Sequence, residues 1–115
     1  MAPVKVLFPF AGDSIVGGSH VSALGLAAAL DPERYTPVVL LHSPAGEVGE
    51  LTRSFGLDFR QLENVPLMAA DQTRGGKRTG LPGYLLGSLS PLIAELKASG
   101  CQIVHTNDGR MHGNW

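Results

Sequence analysis

The run Pro37-Val38-Val39-Leu40-Leu41 constrains this chain more than any other stretch, because none of its five residues suits a water-facing position. A strand with one solvated face alternates apolar and polar residues; a strand apolar throughout belongs to a parallel sheet covered on both faces. Parallel neighbours need crossover segments between them, and the sequence supplies helical patterns in the right places. Val4-Lys5-Val6-Leu7-Phe8 reads as a first strand, stopped by Pro9. Ser19 is expected to cap a helix whose apolar face runs through Val21, Leu24, Ala27, Ala28 and Leu30, closed by Asp31-Pro32. After the second strand, Pro37 to Leu41, the stretch from Gly46 to Phe55 reads as a short helix with Val48 and Leu51 inward. Leu57 to Leu62 alternates and reads as an outer strand.

Residues 64–80 show no period and read as a mobile loop carrying Arg74, Lys77 and Arg78. Leu85, Leu89, Leu92 and Leu96 then recur at helical steps of four, three and four. Pro91 either kinks that helix or opens a second one capped by Ser90. Gly100 ends it, and Gln102-Ile103-Val104-His105 forms the fourth strand. The order β-α-β-α-β-α-β predicts an α/β fold with an open, Rossmann-like parallel sheet, right-handed crossovers and strand order 3-2-1-4. Ligands of such sheets bind beyond the carboxyl ends of the strands, where the order reverses. That rule brings Pro9 to Ser19 beside Thr106 to Gly113.

Composition narrows the partners. At 115 residues the chain suits one domain, 1–115. A formal net charge of −1 supplies no positive field for phosphate backbones, which argues against nucleic acid. The single cysteine, Cys101, has no partner for an internal disulfide and suits a reducing compartment. No apolar run approaches the ~20 residues that span a bilayer. The start, Met1-Ala2-Pro3-Val4-Lys5, lacks a secretion signal, so the expected compartment is the cytoplasm.

The loop Phe10 to Ser19 holds the candidate chemistry. It approaches the phosphate-loop pattern G-x-x-x-x-G-K-[ST] through Gly12, Gly17 and Ser19, but Gly18 stands where lysine is required. The dinucleotide fingerprint G-x-G-x-x-G is absent. What is left is Gly17-Gly18 just before a helix. Their amides can approach an anion with no Cβ in the way, or the pair can be a turn that lets the helix pack closely on the sheet. His20 can bond a phosphate from the first turn or be an ordinary solvated residue. His105, at a strand end, is either a structural hydrogen-bonding residue or a catalytic one. Asp108 can orient a hydroxyl or cap a following helix. His42 receives no role, and the stretch His112 to Trp115 no place. The four histidines have no zinc-site spacing and no D-x-D pair occurs, so neither a metal nor another cofactor is expected.

Two motifs carry a family resemblance. Phe8-Pro9, a variable stretch, then Gly17-Gly18-Ser19 and a helix of small residues is similar to the opening of retaining GT-B glycosyltransferases of the family-four group. Gln102-Ile103-Val104-His105-Thr106-Asn107 resembles that family's D-I-V-H-x-H strand end, with Gln102 in place of the aspartate and Asn107 in place of the last histidine. The resemblance implies an amino-terminal, acceptor-side domain of an enzyme moving a sugar from a nucleotide-sugar donor to an acceptor. Gly17, Gly18 and Ser19 would lie against the donor phosphates. His105, Asn107 and Asp108 would lie near the transferred sugar, with Asn107 unable to titrate. Arg74, Lys77 and Arg78 would help receive an acceptor, and a lipid-linked one would bring the domain to the inner face of the membrane. The family's carboxyl-terminal nucleotide domain, with its E-x7-E motif, is not within these residues, so the chain alone is expected to be inactive. The outer edge of strand four would be open to pairing, which predicts a homo-oligomer. The alternative is a non-catalytic Rossmann-like module that binds a phosphorylated ligand or a protein partner.

Overall fold

The computed structural model describes residues 2–10, 16–42, 46–62, 89–106 and 115. Four strands alternate with helices in these segments: β1 (Val4–Phe10), α1 (Gly18–Ala29), β2 (Tyr35–Leu41), α2 (Gly46–Ser54), β3 (Phe59–Gln61), α3 (Leu89–Ser99) and β4 (Ile103–Val104). The strands form one sheet in the order β3-β2-β1-β4, and every pairing is parallel. The apolar run Pro37 to Leu41 therefore lies in an interior strand. Val39, Leu40 and Leu41 are 1%, 0% and 0% exposed, as a strand covered on both faces requires.

Side chains alternate along each strand, and the alternation divides the interior in two. Val6, Phe8 and Phe10 of β1, with Val39 and Leu41 of β2, cluster with Ala23, Leu24 and Ala27 of α1 and Val48 of α2. Leu7 and Leu40, each fully buried, belong to the opposite face. Arg60 pairs in register with Leu40 and so shares that face. Its Nε lies 2.6 Å from Glu95 Oε1, which places α3 there, with its Leu92 buried.

Several boundaries differ from the sequence expectation. β1 does not stop at Pro9 but runs to Phe10. Proline is excluded from a strand only where its missing N–H would meet a neighbour, and the β4 ladder touches only Val6 and Leu7. The same reasoning admits Pro37 to β2, which begins at Tyr35; the β3 ladder starts only at Val39. The cap of α1 is Gly17, in an extended conformation, and Ser19 is already inside the helix. The buried stripe of α1 is Ala23, Leu24 and Ala27, whereas Val21 is 47% exposed. Pro91 lies in the first turn of α3, where no intrahelical acceptor awaits its N–H, and Ser90 is helical and not its cap; the expected helical position Leu85 lies outside the described residues.

Gly100 ends α3 as expected. At φ 69° it takes the left-handed conformation that reverses a chain after a helix, and its N–H donates to the Leu96 carbonyl at 3.2 Å. Residues 64–80, with Arg74, Lys77 and Arg78, and the sites Asn107 and Asp108 lie outside the described residues. No helix among the described residues is long and apolar enough to cross a membrane.

Candidate functional site

At the carboxyl edge of the sheet, the face covered by α1 carries the described residues that the sequence singled out for chemistry. Gly17 caps α1 and Gly18 opens it, and the first turn meets the end of β1 through His20 and Phe10. The amides of a first helical turn have no acceptor within the helix. His20 takes the one from Gly17, whose N–H donates to the ring Nδ1 at 3.1 Å. A glycine has no side chain to return the bond, so only the histidine half of a reciprocal cap is made. The same ring stacks on Phe10 at a centroid distance of 5.5 Å. His20 is thus a cap and a cover for the core, and the anion-binding capacity of the pair falls on Gly18.

The glycines themselves are informative. Neither lies in the left-handed region; Gly17 has φ −112°. A Cβ built on Gly18 would meet nothing within 4 Å, and one on Gly17 would come no closer than 3.9 Å to the His20 ring. Close packing of α1 on the sheet, one of the two roles left open by the sequence, therefore does not need them among the described residues. Ser19 is exposed in the first turn and Thr106 half-buried after β4; both have bonding partners.

His105 follows β4, and its N–H donates to the Leu7 carbonyl at 2.8 Å, extending the ladder by one bond. Its ring packs on Phe8 at 5.2 Å, tilted by 48°. Phe8 and Phe10 belong to one face of β1, so His20 and His105 flank the same aromatic pair. The structure brings Gly17, Gly18, His20 and His105 together on the α1 face of the carboxyl edge, as the strand order requires.

A second group lies on the opposite face, and sequence reasoning missed it. Leu41 belongs to the α1 cluster, so His42, one residue on, turns to the α3 face. His42 is 6% exposed. Its backbone N–H donates to the Phe10 carbonyl at 3.0 Å. Its Nε2 accepts from the indole N–H of Trp115 at 2.9 Å, the rings meeting edge-on. Indole only donates, so Nε2 must be unprotonated and the ring's proton must sit on Nδ1. Burial pushes the pKa of His42 down from 6.5 to about 4, which keeps the ring neutral at pH 7. Nδ1 has no partner among the described residues. Such an unspent buried donor costs about 1–3 kcal/mol.

Glu95 repeats the pattern on α3. Its Oε1 is close to Arg60 Nε, but the N–H is not aligned on it, so the oxygen gains charge attraction without a directed hydrogen bond. The only sequence signal for this group was a histidine directly following an apolar strand. The contact between His42 and Trp115 spans 73 residues and has no local signature. No group of three or more His, Cys, Asp or Glu able to hold a metal occurs among the described residues.

Fold and site together define an open Rossmann-like α/β domain with polar groups on both faces of its carboxyl edge. No protein-family model matches the chain, and neither the curated proteins nor the solved structures yield a significant match.

Proposed function

We propose that the chain is the acceptor-side, amino-terminal domain of a glycosyltransferase that uses a nucleotide-sugar donor. The observation that carries the reading is Gly18, at the amino end of α1 and at the carboxyl edge of the sheet, where among the described residues neither backbone conformation nor packing requires a glycine. Absence of a side chain there leaves the backbone open to the approach of a ligand. The ligand suited to an amide at a helix amino terminus is an anion, and a sugar diphosphate is one. His105 stands on the same face, so a sugar joined to that diphosphate would extend toward the end of β4. Asn107 and Asp108 follow directly and keep the sugar-side role implied by the resemblance. Arg74, Lys77 and Arg78 keep the acceptor role. Nucleotide recognition and the acidic motif belong to a second domain, so these 115 residues transfer no sugar by themselves. The domain works in the cytoplasm, at the inner face of the membrane when its acceptor is lipid-linked.

The test is a titration of the isotopically labelled chain with UDP-glucose, GDP-mannose and ADP-glucose, followed through the backbone amides. Because nucleotide recognition belongs to the second domain, all three should shift Gly18 and His105 saturably through the diphosphate and sugar that they share. Gly18→Val should weaken binding of each about tenfold, a loss of about 1.4 kcal/mol, while the melting temperature stays put. Equal binding by the variant would return the glycines to a turn. Binding of inorganic phosphate as tight as that of the nucleotide sugar would favour a non-catalytic phosphate-binding module.

A further inference from the structure

The contact between Trp115 and His42 tolerates only one protonation state. The indole N–H can only donate, and it donates to His42 Nε2 at 2.9 Å, so Nε2 must be unprotonated. An imidazolium carries N–H groups at both nitrogens and would set one N–H against another. The rings meet edge-on at 5.6 Å and the imidazole is 6% exposed, so a charged ring held here would also be cut off from water. Even the neutral contact is incompletely satisfied. The N–H at Nδ1 has no partner among the described residues, and an undocked ring would give it to water. Among the described residues, no neighbouring charge holds the ring in either state. Arg60 of β3 and Glu95 of α3 share its face but pair with each other, and Lys97 of α3 is exposed. β1 meets His42 through the Phe10 carbonyl, Leu62 after β3 is apolar, and Trp115 brings its neutral indole.

We propose that Trp115 and His42 form an acid-released latch: the indole docks at the carboxyl end of β2 while the imidazole is neutral and leaves it when the ring takes up a proton, with the sheet intact. The latch covers part of the edge at which ligands of such sheets bind, and it does not depend on the transferase reading. An exposed ring takes its proton at pH 6.5 and the docked ring at about pH 4, because burial disfavours the charge. A proton therefore favours the open arrangement by up to about 300-fold. One neutral hydrogen bond and one aromatic pair hold the latch closed by about fivefold each, roughly 25-fold together. Burial of the indole adds to this, and the unspent donor at Nδ1 subtracts from it. The proton overtakes a 25-fold preference near about pH 5. The sign follows from the lowered value: the latch is closed above pH 6.5 and opens as the pH falls.

Trp115 is the only tryptophan in the sequence, so its emission reports the latch directly. The full chain is titrated from about pH 7.5 to about pH 4 by acrylamide quenching of the indole and by far-UV circular dichroism. Quenching should rise at least about twofold, with its midpoint near about pH 5, while the ellipticity holds. His42→Gln keeps a neutral acceptor for the indole and cannot titrate, so its quenching should stay flat over the same range. Trp115→Phe keeps a ring beside His42 and loses the donor. In that variant the ring nitrogens of His42, followed by isotope labelling, should bind a proton about fivefold more tightly than in the wild type. This second variant tests the latch even where His42→Gln does not fold. Quenching that stays flat in the wild type overturns the proposal. So does quenching that rises only as the ellipticity is lost, because the contact then opens with the whole fold and not by itself. An equal rise in His42→Gln also overturns it and assigns the change to carboxylates. An unchanged His42 titration in Trp115→Phe overturns it by showing that the indole bond does not hold the ring neutral.

Discussion

Gly18 and Gly100 flank helices at opposite ends, and their replacement by alanine should have opposite signs. Gly100 holds φ 69°, where an L side chain costs roughly 1–2 kcal/mol. The nearest contacts of its added Cβ, to Lys5 at 3.8 Å, are ordinary, so the backbone term alone sets the loss. Gly18 has open space and no left-handed backbone, so Gly18→Ala removes only freedom of the unfolded chain and should be neutral or gain up to about 1 kcal/mol. Urea midpoints of the two variants check this. Sequence alone made the glycine pair conspicuous but left both of its uses open, because spacing says nothing of what surrounds a missing side chain. It also placed the cap on Ser19. Serine is the stronger capping residue in general, yet here the His20 ring serves the Gly17 amide and the helix starts earlier.

The elements of the fold were legible because period and continuity report burial. An apolar run made β2 interior, and its alternation with helical patterns fixed the order of the sheet. The errors fell at prolines and at the rim of the helical face. Whether proline breaks a strand depends on how far the neighbouring ladder reaches, and that is a tertiary fact. The face of α1 was right at its centre, Leu24 and Ala27, and wrong at Val21 and Ala28, both exposed. Two leucines of the same helix make the contrast measurable. Leu24 is 0% exposed inside the cluster formed with Phe8 and Val39, so Leu24→Ala should cost about 2–5 kcal/mol. Leu26 is 45% exposed, so Leu26→Ala should stay within about 0.5 kcal/mol of the wild type. Similar losses at both positions, measured by equilibrium unfolding, would show that α1 packs by a different face.

For the molecule as a whole, the half of the site on the α3 face was illegible for a physical reason. It is made by contacts between His42 and Trp115 and between Arg60 and Glu95, each joining segments distant in the chain. Such contacts exist only once the sheet has formed, and one of them couples global stability to pH. The folded pKa of His42 is about 4 and its unfolded value 6.5, so between those pH values the unfolded chain binds a proton that the folded chain refuses. Stability attributable to His42 is therefore complete above pH 6.5 and falls as the solution is acidified toward pH 4. The full difference is of order 3 kcal/mol, since each pKa unit is worth about 1.4 kcal/mol. Carboxylates add slopes of their own in the same range, so the wild type must be compared with His42→Gln, which cannot titrate. The wild type should lose stability more steeply than the variant, by up to about 1.4 kcal/mol per pH unit, and the two slopes should converge above pH 7. Parallel curves from pH 7 to pH 4 would mean that the ring takes up its proton equally in both states. Protonation would then not break the bond from Trp115, and that bond would no longer be evidence for where the ring holds its single hydrogen.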